Sequence, residues 1–77
     1  MRRRRDVHVV ANAARSRWKV TQGRRTLSDH RTQEIAVTAA RRVAKRNCVE
    51  LVIHGRNGRI RSKDSFGNET AAHDSEH

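Results

Sequence analysis

The run from Glu50 to Asn68, ELVIHGRNGRIRSKDSFGN, constrains the fold more than any other part of the chain. Alternating segments flank Asn57-Gly58. Asn followed by Gly tolerates the positive φ values of a tight type I′ turn, whose twist matches that of paired strands. The stretch predicts a β-hairpin with Asn57 and Gly58 at the central turn positions. Apolar Leu51 and Ile53 lie on its first strand, and Arg59, Arg61 and Lys63 alternate along its second.

The remaining periodicity supplies what packs against this hairpin. Val7 to Ala11 reads as a first strand and Asn12 to Ser16 as a loop. Arg17 to Gln22 is a second strand, with Trp18 and Val20 facing one way and Arg17, Lys19 and Thr21 the other. Gly23 to His30 is polar and turn-rich and predicts a loop. Thr32 suits a helix N-cap, with Glu34 in the first turn where the helix dipole favours acid. Ala36, Ala39, Ala40, Val43 and Ala44 recur at helical spacing, so Gln33 to Asn47 predicts a helix whose small apolar face sits close to a sheet. Arg41, Arg42, Lys45 and Arg46 take the other face and the last turns, and Asn47 suits a left-handed C-cap. Strands over Val49 to His54 and Arg59 to Lys63 complete the order.

The expected fold is α+β: a compact ββαββ domain over residues 6–64, one helix packed on a mostly antiparallel four-stranded sheet. Residues 1–5 form a flexible basic arm and residues 65–77 a disordered acidic tail, apart from a role for Phe66. The expected core is Val9, Trp18, Val20, the alanine face, Val43, Leu51, Ile53 and Ile60. One helix covers one sheet face, so the other would present Arg17, Lys19, Thr21, Glu50, Val52, His54, Arg59, Arg61 and Lys63.

The block His54-Gly55-Arg56-Asn57-Gly58-Arg59-Ile60-Arg61 also resembles the signature of a small bacterial family, domain of unknown function 2188, whose members carry a block like HGRDGRIRDKDSYGND. His8-Val9-Val10 resembles the family's opening strand, Trp18-Lys19-Val20 its W-x-V strand, and Thr32-Gln33-Glu34 its T-Q-x-E-A helix start. The chain departs from the pattern in Arg2 to Arg5, in its extra arginines, in Asn57 where Asp is usual, and in lacking a Pro-rich tail. The resemblance implies no activity and assigns no site residue.

Seventy-seven residues make one domain at most. So short a chain buries a small fraction of its surface and is marginal unless it associates or is stapled. Cys48 stands alone, so no internal disulfide forms, and a reduced cytoplasmic setting fits best. Cys48 itself reads as a small buried residue. The Met-Arg-Arg-Arg-Arg start resembles the basic region of a signal peptide, but no apolar region follows it. No run is long enough to span or insert into a membrane.

The 18 Lys and Arg against 8 Asp and Glu give a net charge of +10. All 18 lie in residues 1–63, while residues 64–77 carry Asp64, Glu69, Asp74 and Glu76. Such a field favours polyanions, nucleic acid or an anionic membrane surface. All but Lys19, Lys45 and Lys63 of the basic residues are Arg, which also suits a high-GC genome. Codon usage does not account for the excess of base over acid. The favoured reading is a non-enzymatic protein that binds duplex DNA or structured RNA with low sequence specificity. Arg2, Arg3, Arg4, Arg5, Arg17, Lys19, Arg56, Arg59, Arg61 and Lys63 would contact phosphates. Base stacking is disfavoured, because Trp18 and Phe66 are the only large aromatics and Trp18 belongs to the core.

Alternatively, the charged sheet face is a solvated antiparallel face, or it homodimerises or docks an acidic protein partner. Arg2 to Arg5 are then a solvated tail. His54-Gly55-Arg56-Asn57 invites a nuclease reading, but no cluster of His, Asp or Glu has metal-ligand spacing, and a Cys48–His54 catalytic pair rests on nothing but nearness in sequence. No cofactor or metal is expected.

Overall fold

The computed structural model describes residues 5–66. Its elements are β1 (Val7–Ala11), β2 (Trp18–Gln22), β3 (Arg25–His30), α1 (Gln33–Asn47), β4 (Glu50–His54) and β5 (Ile60–Ser65). They form one five-stranded sheet in the order β3-β2-β1-β4-β5 under a single helix. Neighbouring strands are antiparallel except the central pair, where β1 and β4 run parallel with Val7 opposite Leu51 and Val9 opposite Ile53. Parallel neighbours need a crossover, which the segment through β3 and α1 provides. The α+β class and the mostly antiparallel sheet match expectation. The strand count does not: the order is βββαββ.

The missed strand is β3, within the segment expected to be a loop. Gln22 pairs with Arg25, so Gly23-Arg24 is a two-residue hairpin loop. Gly23 has φ +64, at the first loop position, which type II′ hairpins reserve for glycine. β3 carries little hydrophobic alternation because it is an edge strand, and most of it is exposed. It is held by backbone pairing to β2 and by the Arg17–Asp29 ion pair.

The helix starts as its sequence dictates. Thr32 accepts a hydrogen bond from the Ile35 amide through its side-chain oxygen (3.1 Å). It ends one residue later than the expected Asn47 cap. Cys48 takes the left-handed conformation (φ 56), exposed to solvent rather than buried. Cys48 N–H reaches Lys45 O (3.3 Å) and Val49 N–H reaches Ala44 O (3.1 Å), a Schellman arrangement. Val49 and Ala44 are both buried there, which supplies the apolar contact that fixes the motif.

Ala36, Ala40 and Ala44 are fully buried against Val7, Val9, Trp18, Val20, Val49, Leu51 and Ile53. Ala39, Val43 and Phe66 pack at the margin of this core. Methyl-sized side chains bring the helix backbone down onto the valines of β1 and β2. The helix lies over β1 to β4 and leaves β5 beyond its edge, where the side-chain pairs Arg41–Asp64 and Arg61–Gln33 bridge the gap. β5 extends past the expected Lys63 to Ser65, and Phe66 N–H bonds to Val49 O (3.3 Å). The rest of the expected tail, residues 67–77, lies outside the described residues.

The second hairpin is present, but its turn is not type I′. Gly58 N–H bonds to Gly55 O (2.9 Å), so Arg56 and Asn57 are the central residues. Only Gly58 has positive φ (+87), and Gly55 N–H bonds to Arg59 O (2.8 Å). This is a β-turn followed by a left-handed glycine that forms a bulge. Asn57 helps through its side chain, whose Oδ1 accepts from Arg59 N–H (3.0 Å).

A second bulge lies further along the ladder, between Ile53 and His54: Ile53 pairs with Ser62 and His54 with Ile60, so Arg61 is the extra residue. It moves the register of β5 by one residue, and a one-residue slip exchanges faces. Ile60 therefore stands beside His54 and is 58% exposed, not in the core. Arg61, expected on the open face, instead reaches Gln33 at the start of the helix.

Candidate nucleic-acid interface

Strand direction sorts the charged residues into two ends. β1, β3 and β4 run one way, while β2, β5 and α1 return. One end therefore gathers the β1–β2 loop, the β3–α1 junction, the helix N-terminus and the β4–β5 turn. Gln33 Nε2–H confirms this by donating to His54 O (3.0 Å). That end carries Arg15, Arg17, Arg31, Arg56, Arg59 and Arg61, all exposed, against Asp29 and Glu34. The opposite end carries Arg5, Arg24, Arg25, Lys45 and Arg46 with Asp6 and Glu50. There Gln22 Nε2–H donates to Arg5 O (2.8 Å), so Arg5 is seated beside the Gly23 turn. The helix dipole adds positive potential at the first end and negative potential at the second.

The ten residues expected to contact phosphate are thus not one patch. Arg17, Arg56, Arg59 and Arg61 meet at the first end, and Arg5 sits at the other. Lys19 and Lys63 lie along the open sheet face, and Arg2, Arg3 and Arg4 lie outside the described residues. The open face is not the cationic platform that alternation suggests. Arg17 pairs with Asp29, Lys63 with Glu50 (3.7 Å), and Lys19 stands opposite Asp29 in register. Cross-strand opposite charges offset one another there. The best-placed cations are on turns, which have no strand-pairing partner to supply a carboxylate.

Two turns hold the arginine end in shape. Asn12 Oδ1 accepts from the Ser16 amide (2.9 Å) and the Arg17 amide (3.3 Å), and Arg15 adopts a left-handed φ of 60. Arg56 then ties the two loops together. Its Nη1–H donates to Arg15 O (3.0 Å), and its guanidinium lies over the Trp18 ring, 5.9 Å from the centroid. Among the described residues no ion pair engages Arg15, Arg31, Arg56 or Arg59.

A histidine pair adjoins this end on the open face. His8 Nδ1 and His54 Nε2 are 2.9 Å apart, and the rings stack with centroids at 5.2 Å. His54 Nδ1 faces Gly58 O (3.2 Å), an acceptor only, so His54 carries its proton there. Its Nε2 then accepts from His8 Nδ1–H. Burial, and next the positive charge that His54 can carry, push His8 below the usual histidine range, while Asp6 acts the other way. Sequence reading treated His54 as structural and passed over His8 and Arg15. Only the parallel pairing of β1 with β4, invisible in either strand alone, brings these residues together. Among the described residues no group of three or more His, Cys, Asp or Glu can hold a metal ion.

These features define a small basic α+β domain with one helix, a mixed five-stranded sheet and an arginine-rich end. The chain matches, over residues 7–66, the family described as uncharacterized protein conserved in bacteria, domain of unknown function 2188, and it belongs to that family. The resemblance carried by the His54–Arg61 block is thereby established. No curated protein and no solved structure matches it. No helix among the described residues is long and apolar enough to cross a membrane.

Proposed function

We propose that this protein is a non-enzymatic nucleic-acid-binding domain of the cytoplasm that grips phosphates with low sequence specificity. The observation that supports it most is the gathering of Arg15, Arg31, Arg56, Arg59 and Arg61 with the helix N-terminus at one end of the sheet. Arginine forks match phosphate oxygens, and turns let several reach a backbone at once. Among the described residues no helix or ribbon stands out to enter a groove, so base readout contributes little there.

The test is fluorescence anisotropy with a labelled duplex across a salt series. If those arginines each neutralise one phosphate, log K against log salt falls with a slope of about −4 to −5, at about −0.9 per contact. Neutralising Arg59 and Arg61 together flattens the slope by about two units. Scrambled and mixed duplexes bind alike. Absence of binding to DNA and RNA at low salt refutes the proposal.

One feature favours a second reading, self-association through the open face. The bulge turns exposed Ile60 toward His54, near Val52, and the surrounding charges are balanced by Arg17–Asp29 and Lys63–Glu50. Light scattering on the protein and on Ile60→Lys tests it: a dimer that the substitution dissociates supports it, and a monomer at all concentrations excludes it.

A further inference from the structure

The two central strands are parallel, and their continuations diverge. From β1 the chain turns outward to β2, and from β4 it turns the other way to β5. Where neighbouring parallel strands send their connections to opposite sides, a crevice opens beyond their C-terminal ends, the place where open sheets receive ligands. Such a crevice exists here, about 280 Å³ in volume, between the β1–β2 loop and the β4–β5 turn. Its lining includes Asn12, Arg15, His54, Arg56 and Asn57, and no carboxylate.

The geometry points to this crevice as a seat for a single phosphoryl group, an assignment that rests on the nucleic-acid reading above and sharpens it. At about 280 Å³ the crevice lies at the lower limit of small-molecule sites, which run from about 300 to 1,000 Å³, and suits one small anionic group. Charge selects an anion, because the lining presents arginine and histidine without a compensating acid. The Arg56 guanidinium is already placed. Trp18 supports its face and Arg15 O takes one N–H, which leaves other donors for a ligand. His54 is also held, between Gly58 O and His8, so the wall it forms does not rearrange. The fork of Arg56 and the cation of Arg15 come from loops that Arg56 itself ties together. A bound phosphoryl group bridges the same two loops.

The phosphoryl group can belong to a nucleic-acid backbone or to a free phosphate or mononucleotide. Amide NMR on the full chain, titrated separately with inorganic phosphate, a nucleoside monophosphate and a short duplex, distinguishes these. Shifts concentrated in Asn12 to Ser16 and Gly55 to Gly58 support the seat. If all three ligands produce them, free phosphoryl groups bind; if only the duplex does, the diester is the ligand. In the duplex assay, joint Arg15→Gln and Arg56→Gln substitution weakens binding about tenfold or more. Arg24→Gln with Arg25→Gln removes equal charge at the far end and weakens it less. Arg56→Lys, which keeps the charge and loses the fork, falls between. If the duplex binds, the crevice amides stay still and the two double variants lose affinity equally, the seat is refuted and the proposed function stands. Phosphate shifts without duplex binding keep the seat and sink the proposed function. No shift and no binding with any ligand overturn both.

Discussion

Replacing Gly58 tests the observed turn against the type I′ turn expected from Asn57-Gly58. Gly58 has φ +87, and a Cβ built there meets no atom within 4 Å. Packing therefore contributes nothing to the cost of Gly58→Ala, and the backbone alone decides. An L-residue held in the left-handed region costs about 1–2 kcal/mol. The unfolded chain loses freedom when Gly becomes Ala, which returns about 0.4–1 kcal/mol. The net loss lies between about 0 and about 1.6 kcal/mol. With a urea m-value of about 1 kcal/mol/M for a domain this small, the midpoint falls by up to about 1.6 M. Far-UV circular dichroism and Trp18 fluorescence should report it together. Gly58→Val loses more, since branching at Cβ resists this conformation further. Chemical synthesis with D-alanine at position 58 reverses the sign and gains about 0.4–1 kcal/mol, because positive φ suits the D-residue. D-alanine at position 57 discriminates most sharply. A type I′ turn welcomes it, whereas the observed turn, with Asn57 outside the positive-φ region, is destabilised. A Gly58→Ala protein more stable than the parent, or D-alanine tolerated at 57, refutes the turn described here.

Trp18→Ala should cost about 3–5 kcal/mol, because a ring 4% exposed is removed from between β2 and the helix, and a small domain holds little more than that in reserve; unchanged thermal melting by circular dichroism contradicts it. Cys48→Gly should stabilise by about 0.5–1 kcal/mol in urea titration, since Cys48 pays left-handed strain at φ 56 that glycine avoids. His8 makes stability depend on pH. Its folded pKa is lowered, so between that value and the ordinary histidine pKa the unfolded chain binds more protons, and stability falls as pH drops through that window. The slope from this one group is at most about 1.4 kcal/mol per pH unit, and His8→Gln should remove it from the urea midpoint measured from about pH 7.5 down to about pH 5.

What was legible in the sequence was what short-range periodicity encodes. Trp18 and Val20 alternate with Lys19 and Thr21, so β2 declared its buried face, and Ala36, Ala40 and Ala44 declared the helix stripe. Thr32 announced the helix start because a cap is a local side-chain bond. β3 was illegible because an edge strand needs no apolar face. The one local sign, Gly23 at the first position of a two-residue loop, was outweighed by polar composition. The bulge at Ile53/His54 was also hidden, since nothing in Arg59-Ile60-Arg61 distinguishes a regular ladder from one shifted by a residue. That shift exchanged Ile60 and Arg61 between faces. The candidate site was legible only as a charge excess. The placement of Arg15, Arg31 and Arg56 at one end follows from strand directions, which emerge only when β1 and β4 pair across the whole helix.

That pairing has a consequence for how the chain reaches its native state. β1 emerges from the ribosome before the other strands yet becomes the middle of the sheet. One of its edges is met at once by β2 through a short loop. The other stays bare until β4 has been made and α1 has folded back, and the joined His8 and His54 are 46 residues apart. Val7, Val9 and Val10 lie along that bare edge in the interim, a template for pairing with other chains. Folding is therefore gated by one long closure, whose entropy is spent before the parallel contacts form. Val9→Ala and Leu51→Ala should slow refolding in stopped-flow experiments. Substitutions in β3, an edge strand outside that closure, should chiefly speed unfolding.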